Sequence, residues 1–219
     1  LAYTRFLTLV PEGWLVALLL ALLATVAYHL GNVWLAGGWA VLSALAGWWF
    51  SDRERHVPLC PLGVLSPVDG WLESFEKTED PYLQRPAYKL VIRVNFFSGG
   101  YVLHAPIEGE LLDLPEHLRT RDLSRLRTDE GDEVIVKVTE GFLLGAPPVW
   151  AHFGARIGQG WSCGLRRLAW RFELYIPTYA RIEVRVGQKV KGGETKVATF
   201  LRKDWSLQTS RHLSGDTHG

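Results

Sequence analysis

Two short motifs carry side chains in this chain that could do chemistry: Ser66-Pro67-Val68-Asp69-Gly70 and His104-Ala105-Pro106-Ile107-Glu108-Gly109. A carboxylate and an imidazole are common groups for moving protons, and a serine or cysteine is a common nucleophile for them to serve. Candidates for the nucleophile stand in Gly160-Trp161-Ser162-Cys163-Gly164. Each of these residues also has a plainer reading. Asp69 before Gly70 suits a turn, Ser162 suits a polar loop, and nothing in the sequence sets a base beside Cys163. Cys60 and Cys163 lack metal-ligand spacing, so both read as ordinary reduced thiols and no metal site is expected.

The elements that must position these residues read as mainly β. The stretches from Lys89 to Phe96, Glu133 to Thr139 and Phe172 to Ile176 are rich in β-branched and aromatic residues, and Asp129-Glu130-Gly131-Asp132 is a turn signal. A short helix is expected near Pro115 to Leu126. From Ala180 to Phe200, alternating Ile182, Val184 and Val186 give way to turns at Gly187 and Gly192-Gly193, which predicts short strands of a half-barrel or hammerhead type. The pattern is similar to biotinyl/lipoyl domains, but no lysine sits between acceptor-type residues at a hairpin tip, which argues against a swinging-arm carrier.

Ahead of the β region lie two apolar runs. Trp14 to Leu30 has His29 as its one side chain that ionises near neutral pH, and Val33 to Phe50 has none. At about 1.5 Å per residue each run reads as long enough to cross a hydrocarbon core, and the short Gly31-Asn32 link makes the pair an antiparallel hairpin. The sequence thus predicts an N-terminal two-helix transmembrane hairpin over 1–50, with helices at about 14–30 and 33–50. A mainly β soluble domain over 51–201 and a tail over 202–219 follow it. Arg5, Arg53 and Arg55 fall on one side, which the positive-inside rule makes cytoplasmic. The expectation is a multi-pass inner-membrane protein with both termini and the β domain in the cytoplasm; a buried helical pair is the alternative. The net charge of +1 and the absence of a long basic block argue against nucleic acid as a partner. Arg166, Arg167, Arg171, Arg202 and Lys203 either face anionic headgroups or form a scattered solvated face. Trp150, Trp161, Trp170 and Trp205 read either as core or as exposed docking aromatics.

Taken in order, the motifs resemble the phosphatidylserine decarboxylase family in its short prokaryotic form. Residues 66–70 look like the family's Ser-Pro-Ala-Asp-Gly element, and residues 104–109 look like its His/Arg-Ala-Pro-Val-x-Gly element. Tyr175-Ile176-Pro177 and the stretch from Arg185 to Thr195 look like its C-terminal strand and glycine turns. The resemblance implies an aspartate and a histidine that activate the serine of a Gly-Ser peptide. The chain is then cleaved, and the new terminus becomes a pyruvoyl group that acts as electron sink for decarboxylation. Asp69 matches the family aspartate. Counting back from Ala105-Pro106 puts Tyr101 at the catalytic histidine and His104 at a second, basic position. The loop is about two residues shorter than the family pattern, so His104 is the alternative occupant by a shifted route. Tyrosine, with a reference pKa near 10, is a poor base at neutral pH. Aligning Arg171 to Pro177 with the family strand puts Ala169-Trp170 where Gly-Ser should stand, and tryptophan has no nucleophilic oxygen. Ser162 is the alternative pyruvoyl precursor, in a Trp-Ser peptide that lacks the flexible glycine.

The expected function is therefore a membrane-anchored phosphatidylserine-decarboxylase-like protein that does not process itself. It would bind phospholipid or serve a membrane complex, without a cofactor. Two alternatives stay open: an active decarboxylase of phosphatidylserine or a related aminophospholipid, pyruvoyl-dependent through Ser162, and a purely structural subunit of a membrane complex. The partners implied are membrane phospholipid and, in the subunit readings, other membrane proteins.

Overall fold

The computed structural model describes residues 11–50, 55–94, 100–113, 122–140, 152–166 and 169–201. Two helices come first, α1 over Pro11–His29 and α2 over Val33–Trp49. Asn32 caps α2, its side chain accepting from the Leu35 N–H at 3.1 Å, and Gly31 reverses the chain at φ +79°. The helices pack on one another, with the Ser43 hydroxyl donating to the Ala17 carbonyl at 2.9 Å.

This pair corrects the expected transmembrane hairpin: among the described residues, no helix is long and apolar enough to cross a membrane. The physical reason lies in the helix bounds. α1 has 19 residues but includes Glu12 and ends on His29, and α2 has 17. A span calls for about 20 predominantly apolar residues. The multi-pass inner-membrane placement and its orientation rested on those spans and fall with them. Arg5 and Arg53, which carried the orientation, lie outside the described residues, and so does the expected tail over 202–219.

The remainder is mainly β. In chain order the strands are β1 Gly63–Leu65, β2 Gly70–Asp80, β3 Arg85–Arg93, β4 Val102–His104, β5 Gly109–Leu112, β6 Leu123–Arg127 and β7 Glu133–Glu140. Then follow β8 Arg156–Ile157, β9 Ser162–Leu165, β10 Arg171–Pro177, β11 Ala180–Ile182, β12 Lys189–Val190 and β13 Lys196–Phe200. One sheet has the order β12-β2-β3-β10-β7-β6-β5-β8, and two smaller ones are β1-β13-β11 and β4-β9. Phe172, Leu174 and Ile176 alternate along β10 into a core shared with Leu72, Leu90, Ile92, Leu126 and Val134. On the other face of β10 the Tyr175 hydroxyl donates to Glu173, which also pairs with Lys89 at 2.9 Å. The short helix expected near Pro115 to Leu126 does not extend to its predicted end. Residues 114–121 lie outside the described set, and from Leu123 the chain is β6, hydrogen-bonded to β5 and β7 on its two sides. Pairing on both edges outweighs local helix propensity.

The two motifs are halves of a pseudo-symmetric clasp. Each ends one strand, bends over three residues and starts another: β1 to β2 through Pro67-Val68-Asp69, and β4 to β5 through Pro106-Ile107-Glu108. The Leu65 N–H donates to the Pro106 carbonyl at 2.7 Å, and the His104 N–H donates to the Pro67 carbonyl at 2.9 Å. One layer out, Ser66 exchanges backbone bonds with Thr195 and Gly193 as Ala105 does with Trp161 and Gly160. Strands β13 and β12 thus serve β1 and β2 as β9 and β8 serve β4 and β5. The glycine closing each motif is a packing requirement: a Cβ on Gly70 would overlap the Arg93 carbonyl, and one on Gly109 the Arg127 carbonyl.

Gly109→Ala is accordingly expected to cost about 1–3 kcal/mol, read as a lower urea midpoint at unchanged m-value. Glu108→Ala beside it, with the Glu108 side chain 57% exposed, should change stability by less than about 1 kcal/mol. Equal effects from the two would contradict the packing role of the glycine.

Candidate functional site

The clasp places Asp69, His104 and Ser162 in one neighbourhood. The Asp69 carboxylate ends the first bend and is saturated with donors. Arg55 grips it through Nη1 to Oδ1 at 2.8 Å and Nη2 to Oδ2 at 2.9 Å. The Gly100 N–H adds a bond to Oδ2 at 3.0 Å and the Gly192 N–H one to Oδ1 at 2.7 Å. Burial pushes the carboxyl's pKa up, but Arg55 and the two amides outweigh it and hold the value below the ordinary carboxylate range.

His104 is buried at the end of β4, its Nδ1 3.1 Å from the Gly160 carbonyl. That partner selects the tautomer protonated at Nδ1. The ring lies on the Gly192-Gly193 turn so closely that a Cβ at either glycine would stand 3.1 to 3.3 Å from it, and Gly193 has φ +70°. The same turn sends its Gly192 N–H to Asp69, so it separates the carboxylate from the imidazole instead of joining them. Among the described residues Asp69 makes no hydrogen bond to His104.

Ser162 stands opposite His104 in the β4–β9 register, beside an irregularity at Leu103/His104. The carbonyl before it, on Trp161, accepts the Ala105 N–H at 2.8 Å. Cys163 is buried, its thiol pushed up to about 12 by burial, and its Sγ lies 3.5 Å from the Leu103 carbonyl; it is a packed thiol, not a nucleophile. Tyr101 is 2% exposed and meets Phe50, at the end of α2, edge to face with ring centroids 4.7 Å apart. It thereby ties the helical pair to the β domain. Among the described residues no cluster of His, Cys, Asp and Glu could hold a metal ion.

Arg166 departs most from the sequence reading, which put it either on a solvated face or against headgroups. It is fully buried. Its backbone N–H donates to the Tyr101 carbonyl at 2.8 Å, and its Nη1 donates to the Ala169 carbonyl at 3.3 Å across a turn closed by the Ala169 N–H to Arg166 carbonyl bond. Its Nε and Nη2 have no hydrogen-bond partner among the described residues. Burial lowers its pKa from the usual value, opposed by nearby Asp69 and Tyr101. Ala169 is also fully buried, while Trp170 and Trp161 are 43% and 59% exposed. Arg171 pairs with Glu73 at 3.1 Å. Arg167, Arg202, Lys203, Trp150 and Trp205 lie outside the described residues.

The chain is 28% identical over 204 residues to the phosphatidylserine decarboxylase proenzyme of Nitrosomonas eutropha, covering 86% of this chain and 94% of the relative. It is likewise 28% identical over 205 residues to that of Aromatoleum aromaticum (87% and 94% covered) and 25% identical over 201 residues to that of Burkholderia ambifaria (85% and 94%). The chain is a homologue of the phosphatidylserine decarboxylases. No protein-family model matches it.

In this decarboxylase homologue, two residues of the cluster were not legible as such. In the sequence Arg55 is only a charge flanking an apolar run, and Arg166 only one of several basic residues. No local pattern marks either, because their partners are brought in by strand pairing. The repetition of Ser-Pro-Val-Asp-Gly as Ala-Pro-Ile-Glu-Gly is the one sequence signal that could have revealed the clasp.

The depressed Asp69 pKa has a definite pH signature. A carboxyl with a folded pKa below its unfolded value near 4 stabilises above about pH 4, and that stabilisation is lost as pH falls through the folded pKa. Asp69→Asn is expected to melt below the wild type at pH 7, with the gap closing as the pH falls below about 4. A gap that stays constant over that fall would show that Asp69 is not held as an ion.

Proposed function

We propose that this chain is a phosphatidylserine-decarboxylase-like protein that does not process itself and instead binds phospholipid headgroups at the Asp69–His104 cluster. The observation that carries the reading is the commitment of Asp69. Both carboxylate oxygens are taken by Arg55 and two backbone amides, so the group acts as an anchor and leaves nothing to orient a histidine base. The family resemblance supports the same reading: it implies Ala169-Trp170 at the scissile peptide, and at the histidine position either Tyr101, which packs on Phe50, or His104 by the shifted route. A pyruvoyl group is made from serine. Trp170 has no side-chain oxygen and cannot become one. What the cluster retains is recognition chemistry: guanidinium groups, inward-facing amides and an imidazole, all suited to the polar and anionic parts of a headgroup.

A second reading is favoured by the register that sets Ser162 opposite His104. In it Ser162 is the serine of an active decarboxylase, and the peptide cleaved is Trp161–Ser162.

Intact mass separates the two. A single chain of 24.7 kDa is expected, whereas a fragment starting at residue 162 with a blocked terminus would establish the second reading and overturn the first. Binding to phosphatidylserine vesicles is expected to weaken about tenfold or more in Asp69→Ala. Unchanged binding would remove the cluster as the headgroup site.

A further inference from the structure

Arg166 is out of contact with water, yet two of its three guanidinium nitrogens are idle. The nitrogen in use, Nη1, is bonded to the Ala169 carbonyl, and this fixes the plane of the group. The two idle nitrogens, Nε and Nη2, form one edge of the guanidinium. That edge is the parallel donor pair that grips two oxygens of a phosphate or carboxylate. The nearest anion cannot fill the role, because Asp69 already accepts two bonds on each oxygen, from Arg55, Gly100 and Gly192. Among the described residues the Nε–Nη2 edge of Arg166 therefore meets no acceptor, and its charge is buried without a direct ion pair. Such a charge is a liability to the fold unless something binds it.

We propose that the Nε–Nη2 edge of Arg166 is a bidentate receptor for a phosphate oxyanion, the group common to phospholipid headgroups. This rests on the headgroup-binding reading and names the residue that would meet the anionic part of the ligand. An oxyanion admitted there is bound in a dry surrounding, where charge-assisted bonds are stronger than at the surface. Its entry requires the groups covering the edge to shift. Arg55 and two amides hold Asp69, which acts on Arg166 only through its charge, while the Ala169 carbonyl positions the guanidinium and the ligand supplies the acceptor that its free edge lacks.

The test uses the full chain as wild type, Arg166→Met and Arg166→Lys, melted with and without inorganic phosphate at matched ionic strength, and sedimented with phosphatidylserine vesicles. Phosphate is expected to raise the wild-type Tm saturably. Arg166→Met should lose the shift while melting no lower than the wild type in phosphate-free buffer, since it removes an unpaired buried charge. Arg166→Lys, a point charge without the fork, should bind phosphate about tenfold more weakly; it decides the matter if the methionine variant does not fold. A phosphate shift equal in wild type and variants, or absent from the wild type, overturns the proposal. Vesicles that bind wild type and Arg166→Met equally also overturn it but leave the headgroup reading standing. A phosphate shift lost in Arg166→Met with no vesicle binding by the wild type does the reverse: the receptor stands with free phosphate as its ligand, and the headgroup reading falls.

Discussion

Two backbone hydrogen bonds, from Leu65 to Pro106 and from His104 to Pro67, hold the β domain's two motifs against each other, and the rest of the domain depends on them. Each is worth only about 1 kcal/mol net, but the groups are buried, so breaking either would strand a donor and an acceptor away from water. The exchange also fixes register. With Leu65 and His104 set opposite the partner motif, Gly70 and Gly109 fall where β2 and β5 pass closest to the Arg93 and Arg127 carbonyls, and only glycine fits there. The glycine turns at Gly160 and Gly193 then meet, each with its carbonyl 3.2 Å from where a Cβ on the other would stand.

That symmetry is broken where the side chains differ, and the break creates the candidate site. Asp69 and Glu108 occupy equivalent places in the two bends. Asp69 turns inward to Arg55 and two amides, whereas Glu108 lies at the surface against Arg156. Likewise the His104 place is filled by Leu65 in the other half, where the chain is simply core. One half of the clasp thus serves packing and the other carries a polar cluster. The cost of that cluster is concentrated at Arg166, two of whose buried guanidinium nitrogens have no hydrogen-bond partner among the described residues.

Much of the strand pattern was legible from sequence because alternation and glycine turns are local signals. Ile182, the Gly187 turn and the β12–β13 turn at Gly192-Gly193 fall where the pattern puts them. The Leu123 to Arg127 segment was misread because its strand character comes from β5 and β7 on either side, and neither is close in local pattern. The apolar runs were read correctly as a pair of helices and wrongly as membrane spans. Absence of charge sets composition, but Glu12, His29 and the helix ends set usable length.

The sequence alone determined the family resemblance, the motif glycines and the absence of a serine at Trp170, since these are matters of residue identity and order. Only the tertiary structure decided what those residues face. Arg55 and Asp69 meet because a bend and a loop are folded together, and Arg166 is inside because β9 pairs with β4 and turns its guanidinium beneath Ala169. A charge's burial and partners depend on contacts that strand pairing creates between distant residues, and no local spacing records them.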